Sequence, residues 1–182
     1  MTLRLKEFDL SQNEALAEVE QRNGPRNFLR TMAYRPEAMK DFARFYNDVM
    51  GPGPLGSRLK EMVYLAVSTV NECSYCSSHH VEAAKQAGLS DREIEDIQAE
   101  TDQAFSTKER AALRYAREVT RTAAPENDTR DSAWSVFTTE EIVELAMVVA
   151  MANFTNRFSN GLSVPLDLTV PATGATQTGA TQ

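Results

Sequence analysis

The two cysteines of the chain, Cys73 and Cys76, lie three positions apart and are the only cysteines among its 182 residues. In a reducing cytoplasm, a pair at this spacing is more often catalytic or metal-binding than a structural disulfide. A disulfide across so short a loop would also constrain the unfolded chain only weakly. The pair therefore predicts thiol chemistry.

The residues after the pair predict a helix that begins near Ser74 and ends before Gly88. Cys73 then lies at or just before the helix N-terminus, and Cys76 lies in the first turn. Unpaired amides and the helix dipole favour a thiolate there. His80 follows Cys76 by four residues and shares its helix face, so its imidazole can hold or relay the thiol proton. Cys73 is close enough to form a disulfide with an oxidised Cys76.

Glu61 lies twelve residues before Cys73, which is too far for contact along one unbroken helix. Asn71 and Glu72 form a plausible break. If the helix that carries Glu61 turns there and folds back, its carboxylate can approach the cysteine helix as a proton acceptor.

Together these residues form one spaced pattern: Glu61, eleven residues, Cys73-x-x-Cys76, three residues, His80, seven residues, Gly88. The pattern resembles the signature of the AhpD-like alkylhydroperoxidases (the alkyl hydroperoxide reductase D type) within the carboxymuconolactone decarboxylase superfamily. The resemblance extends over roughly residues 35–160.

The resemblance implies an all-α, AhpD-like helical bundle and an enzyme, a peroxidase of the peroxiredoxin type. Cys76 would attack the peroxide, and Cys73, nearer the surface, would protonate the leaving oxygen and then close the disulfide. Glu61 and His80 would form the proton relay. Tyr75 also belongs to the candidate site and departs from the family, which often has histidine there. A phenol titrates near pH 10 and is a poorer relay at neutral pH.

The resemblance also implies partners: a hydroperoxide substrate, an external dithiol reductant such as a lipoyl group on another protein, and a homotrimer or homohexamer. No cofactor and no metal are expected. The net charge of -7 shows no concentrated basic face, which argues against nucleic acid. The longest apolar runs are too short to cross a bilayer, and the N-terminus lacks an apolar signal segment, so we expect a cytoplasmic protein.

Several alternatives stay open. The cysteines could be inert buried residues, or they could bind zinc with His79 or His80 and with Glu61 or Glu72. The superfamily name suggests decarboxylation of a muconolactone, although that reaction has no need for a dithiol. A non-catalytic redox sensor could use the disulfide as a switch.

Apolar residues recur at helical spacing between clear capping signals, including Ser11–Glu14, Ser90–Glu93, Ser106–Glu109 and Thr138–Glu141. The predicted helices lie near 11–22, 26–33, 36–50, 57–70, 74–87, 91–98, 107–122, 128–136 and 139–158. We expect a helical N-terminal extension at 1–35, an AhpD-like domain at 36–160 and a coil with a disordered tail at 161–182. Tyr64, Tyr115, Trp134, Met147 and Met151 are expected in the core.

Overall fold

The computed structural model describes residues 13–167, and within this range it contains nine α-helices and no strand. The helices are α1 (Glu14–Asn23), α2 (Asn27–Met32), α3 (Pro36–Met50), α4 (Gly56–Val70), α5 (Ser74–Gln86), α6 (Asp91–Gln98), α7 (Thr107–Thr122), α8 (Asn127–Val136) and α9 (Thr139–Leu162). The predicted all-α class is confirmed. Helices α3, α6 and α7 begin and end at the predicted residues, and α9 runs four residues further than predicted.

Three of the four predicted capping boxes are formed. In each box, the N-cap hydroxyl accepts a hydrogen bond from the backbone amide of the glutamate, and the glutamate side chain accepts one from the backbone amide of the N-cap residue. The pairs are Ser90–Glu93, Ser106–Glu109 and Thr138–Glu141. The expectation for α1 is wrong. Its N-cap is Asn13, whose side chain accepts the amide of Leu16 at 3.0 Å, and Ser11 lies outside the described residues.

Helix α4 is the centre of the bundle. It is buried around its whole circumference from residue 62 to residue 68 and packs against α5, α7 and α9. A helix that is apolar on all sides is stable only when other elements surround it. Helix α4 therefore fixes the positions of the helices that carry the candidate site.

One buried charge lies within this core. Lys60 on α4 is fully buried, and its Nζ donates to two backbone carbonyls at the C-terminal end of α3, at 2.8 and 2.7 Å. The same Nζ lies 2.6 Å from Oε1 of Glu144 on α9. The other carboxylate oxygen accepts the amide of Leu55 at 2.8 Å. A Cβ on Gly53 would overlap this carboxylate, so the loop before α4 requires glycine there.

The core differs from the predicted one at two positions. Trp134 is 53% exposed and Met147 is 38% exposed, whereas Tyr64, Tyr115 and Met151 are buried as predicted. Trp134 lies on the outer side of the short helix α8, where the centroids of its ring and of the Tyr115 ring are 6.5 Å apart.

Both ends of the described chain pack on the same side of the bundle. The N-terminal helices α1 and α2 contact α3, and Asn27 at the start of α2 binds the C-terminal segment through its backbone amide and the Oδ1 of Asp167, at 2.7 Å. The predicted tail beyond residue 167 lies outside the described residues. Within residues 13–167, the helices are too short or too polar to cross a membrane.

The buried pair yields a stability prediction. Lys60→Met leaves the Glu144 carboxylate buried without its counter-charge, so we expect the free energy of unfolding to fall by about 3–5 kcal/mol. The double variant Lys60→Met/Glu144→Leu should recover part of this loss, because it buries no unpaired charge. Urea denaturation followed by circular dichroism measures both values.

The exposed pair of Arg114 and Asp128 provides the control. Arg114→Ala should leave the urea midpoint nearly unchanged, since exposed ion pairs contribute little. A Lys60→Met protein as stable as the Arg114→Ala protein would contradict the structural role of the buried pair.

Candidate active site

The cysteine pair lies at the N-terminal end of α5. Helix α4 ends at Val70 and the chain reverses through Asn71 and Glu72, the break expected from the sequence, with Glu72 in the left-handed region at φ 50°. Cys73 is the N-cap of α5, and its Sγ accepts the backbone amide of Cys76 at 3.3 Å.

The two sulfurs are 2.7 Å apart, and both thiols are free. Cys73 is 1% exposed and Cys76 is 4% exposed, so Cys73 is not nearer the surface as the resemblance implied. Helix α9 covers the pair on one side, where Ser159 lies 3.8 Å from the Cys76 sulfur. The sulfurs are therefore in position to share a proton or to form a bond.

The two thiols ionise as a unit. The pKa of Cys73 is lowered to about 7, first because its sulfur accepts a hydrogen bond from the Cys76 thiol; burial opposes this effect and the Cys76 amide adds to it. The pKa of Cys76 is raised, first by the same hydrogen bond and then by burial and by the charge on Cys73. The pair therefore loses one proton near neutral pH and holds the other. The direction of the two shifts favours the first charge on Cys73, whose sulfur accepts the Cys76 thiol and the Cys76 amide, whereas the sequence pointed to Cys76.

Glu61 and His80 meet across the reversal. The Oε2 of Glu61 on α4 lies 2.6 Å from Nδ1 of His80, which is one helical turn after Cys76 on α5. The imidazole ring stacks on Tyr64 at 3.4 Å, and its Nε2 lies 3.2 Å from the hydroxyl of Tyr46. Among the described residues, neither sulfur is a hydrogen-bond partner of His80. The imidazole thus joins a carboxylate to a phenol.

A cavity of about 290 Å³ opens beside this group. Cys76, Glu61 and His80 line it, whereas Cys73 does not. Most of its wall is aromatic or aliphatic; this part includes Phe28, Leu29, Phe42, Tyr46, Tyr64 and Tyr75. The cavity therefore suits a small organic molecule with an apolar body, held against the Cys76 thiol.

Tyr75 lies at the rim of this cavity and not in the Glu61–His80 group. Its hydroxyl donates to Oδ2 of Asp167 at 3.0 Å and accepts the backbone amide of Phe28 at 3.1 Å. Burial raises its pKa, so the phenol stays neutral. These bonds join the cysteine helix to α2 and to the C-terminal segment.

His79 belongs to the same rim. Its Nε2 lies 2.9 Å from Asp167, and its Nδ1 is hydrogen-bonded to Arg26. The pKa of Asp167 lies below its usual value: burial raises it, but the hydrogen bonds from His79, from the Asn27 amide and from Tyr75 outweigh the burial. This cluster could not be predicted from the sequence, because its members are far apart along the chain.

Asparagines on α9 hold the reversal between α4 and α5. The side chain of Asn71 donates to Oδ1 of both Asn153 and Asn156 at 3.1 Å, and its carbonyl accepts from Asn160 at 2.8 Å. Asn156 also donates to Ser68 at 3.3 Å. This is the satisfied buried network that polar residues on an apolar helix require.

Tyr46 and Asp167 are the site residues that sequence reasoning missed. In the sequence, Tyr46 is one more residue at the apolar helical spacing of α3. Of the described residues, no three or more His, Cys, Asp or Glu side chains are grouped as a metal site would require. The two imidazoles of the zinc alternative have other partners: His80 is hydrogen-bonded to Glu61 and Tyr46, and His79 to Asp167 and Arg26.

The sequence model of the carboxymuconolactone decarboxylase family matches residues 36–118, from α3 into α7. This region includes Glu61, both cysteines and His80. A comparison with curated proteins found no significant match.

Solved structures share the fold. An uncharacterized peroxidase-related protein from Silicibacter sp. TM1040 superposes with a TM-score of 0.78 at 26% identity, covering 91% of each chain. A protein of unknown function from Agrobacterium tumefaciens, a candidate AhpD antioxidant defence protein, has a TM-score of 0.69 at 26% identity, covering 76% of this chain and 97% of that one. The debrominase Bmp8 has a TM-score of 0.75 at 21% identity, covering 87% and 88%. The family match over residues 36–118 and the shared fold support an AhpD-like member of the carboxymuconolactone decarboxylase superfamily.

Proposed function

We propose that the protein is a thiol-dependent peroxidase that reduces hydroperoxides through a disulfide between Cys73 and Cys76. One observation carries the proposal: a thiol that lines an apolar cavity has a second thiol 2.7 Å away and a carboxylate–imidazole pair in the same cavity. The similarity to a superfamily with peroxidase-related structures supports it.

Cys76 is the nucleophile in this proposal because it faces the cavity and Cys73 does not. The first charge of the pair lies on Cys73. A proton shift across the 2.7 Å between the sulfurs moves that charge to Cys76 when a substrate is bound. The proton already lies in a hydrogen bond between the two sulfurs, so this shift requires no movement of either side chain.

The reaction balances as a two-electron oxidation of sulfur. The Cys76 thiolate attacks the terminal oxygen of the hydroperoxide, an S–O bond forms, the O–O bond breaks, and the alkoxide leaves with the electron pair. Cys73 then attacks the sulfenic acid on Cys76, and water leaves as the disulfide forms. An external dithiol, such as a lipoyl group, reduces the disulfide by thiol exchange.

Glu61 and His80 supply the proton path in this proposal. The Glu61 carboxylate orients the imidazole and balances its charge when the imidazole takes up the proton that the cysteine pair releases, through a water in the cavity that Cys76 and His80 both line. Helix α4 holds the carboxylate on the cavity wall. The dithiol donor, the homotrimer or homohexamer and the cytoplasmic location stay predictions.

Substitution of each cysteine tests the roles. Cys76→Ser should abolish oxidation by cumene hydroperoxide. Cys73→Ser should still react once, giving a sulfenic acid that dimedone traps, but it should not turn over with dithiol. Mass spectrometry and a thiol titration measure both outcomes.

For the wild-type protein, we expect one intramolecular disulfide per chain and repeated turnover with a dithiol. Stoichiometric oxidation without turnover would favour the redox sensor, and unchanged peroxide consumption by Cys76→Ser would exclude the peroxidase assignment.

The pH dependence follows from the pair. Because the first pKa is lowered to about 7, the thiolate is present above that pH and is lost as the pH falls through it. The single-turnover rate with hydroperoxide should therefore rise through pH 7 and fall about tenfold per unit below it. Stopped-flow measurements from pH 5 to 9 give this profile. A rate that begins to rise only near pH 9 would indicate an unperturbed thiol.

Glu61→Gln tests the proton path. The amide keeps the size of the side chain but cannot balance an imidazolium, so we expect the turnover rate to fall about 10²-fold. Glu82→Gln on the exposed side of α5 is the matched control and should keep the wild-type rate. Equal rates for both variants would remove Glu61 from the mechanism.

A further inference from the structure

The leaving alkoxide of the proposed reaction needs a proton, and the phenol of Tyr46 is placed to give it. Tyr46 on α3 lines the cavity together with Cys76. Its hydroxyl lies 3.2 Å from Nε2 of His80, on the side of the imidazole away from Glu61. A peroxide that contacts the Cys76 sulfur therefore lies in a cavity that the phenol of Tyr46 also lines.

The direction of the hydrogen bonds leaves the phenol proton available. The Glu61 carboxylate accepts Nδ1–H of His80 at 2.6 Å. When the imidazole also carries the thiol proton, its Nε2–H donates to the oxygen of Tyr46. The O–H of Tyr46 is then free to turn toward a substrate.

The other tyrosine beside His80 is held by different contacts. The hydroxyl of Tyr64 is hydrogen-bonded to the hydroxyls of Thr155 and Tyr46. The bond to Tyr46 lowers the pKa of Tyr46, although burial outweighs it, so the Tyr64 hydroxyl is the donor. The proton of Tyr64 is therefore directed at Tyr46, while its ring stacks on the imidazole.

Two other groups could be considered as the acid. Cys73 does not line the cavity, and its sulfur lies behind that of Cys76. The phenol of Tyr75 is committed to Asp167 at the rim. Of the described phenols that line the cavity, Tyr46 is the one whose hydroxyl is hydrogen-bonded to His80.

We propose that Tyr46 is a catalytic residue, the acid that protonates the leaving oxygen of the hydroperoxide; this rests on the peroxidase function proposed above. As the O–O bond breaks, the alkoxide takes the proton of Tyr46. The phenolate takes the proton of His80 Nε2, and the imidazole returns to its neutral form beside Glu61. The thiol proton thereby reaches the alcohol product, and no further reactant is needed.

The surroundings of Tyr46 fit this role. Burial and then the charge of Glu61 raise its pKa, so the phenol keeps its proton at every pH at which the thiol pair reacts. A phenol is still a far stronger acid than the alcohol that forms, so the transfer to an alkoxide is favourable.

A comparison of leaving groups tests the assignment. Cumene hydroperoxide releases an alkoxide, which needs a proton, whereas perbenzoic acid releases a stable carboxylate, which does not. In single-turnover reactions of the reduced protein, Tyr46→Phe should react about 10²-fold more slowly with cumene hydroperoxide and with little change with perbenzoic acid. Tyr115→Phe removes the hydroxyl of a buried tyrosine outside the cavity and should leave both rates unchanged.

A second variant guards against misfolding of Tyr46→Phe. Incorporation of 2,3-difluorotyrosine at position 46 keeps the hydroxyl and makes it more acidic. This protein should retain the reaction with cumene hydroperoxide, and its rate should begin to fall at a lower alkaline pH than that of the wild type.

The outcomes separate the two proposals. Equal losses with both oxidants in Tyr46→Phe, or no loss with either, would overturn the role of Tyr46 and leave the peroxidase function intact. A wild-type protein that reduces neither oxidant would overturn the peroxidase function, and the role of Tyr46 with it.

Discussion

The ion pair between Lys60 and Glu144 constrains the whole arrangement. A charge that is fully removed from water is tolerated only where its partner and its hydrogen bonds are all in place. Lys60 on α4 keeps all of these partners only when α4 holds its present position relative to Glu144 on α9 and to the carbonyls at the end of α3. Successive helical residues point about 100° apart, so with Lys60 directed toward Glu144, Glu61 is turned to the cavity wall opposite α5. The buried pair thus sets where the neighbouring carboxylate can act.

A second constraint comes from the burial of the thiols. With both sulfurs shielded from water, a thiolate has only protein donors to stabilise it. The N-terminal amides of α5 and the neighbouring thiol are those donors, and they favour Cys73. Access and charge are thereby divided between the two residues: Cys73 is stabilised as the anion, and Cys76 faces the cavity. Their 2.7 Å separation allows the proton to pass between these two roles.

The sequence was sufficient for the helices because their signals are local. A hydroxyl and a glutamate at capping spacing, or the reversal after Asn71, act on neighbouring residues whatever the rest of the chain does. Spacing within the motif also indicated Glu61, the cysteines and His80. Tyr46 and Asp167 could not be predicted, because tertiary packing alone brings them to the site. Tyr46 comes from α3, and Asp167 comes from the C-terminal segment. Trp134 and Met147 show the same limit, because an apolar residue at helical spacing does not reveal whether another element covers it.

Two polar networks share helix α5 without mixing. His79 and His80 are consecutive, so their side chains diverge by about 100° around the helix. His80 turns to Glu61 and Tyr46 inside the cavity, while His79 turns to Asp167 at the rim. Tyr75 lies with His79, although it stands between the two cysteines in sequence. Its phenol joins α5 to α2 and to the C-terminal segment at the rim of the cavity. The proposed proton path runs along the opposite wall and does not depend on it.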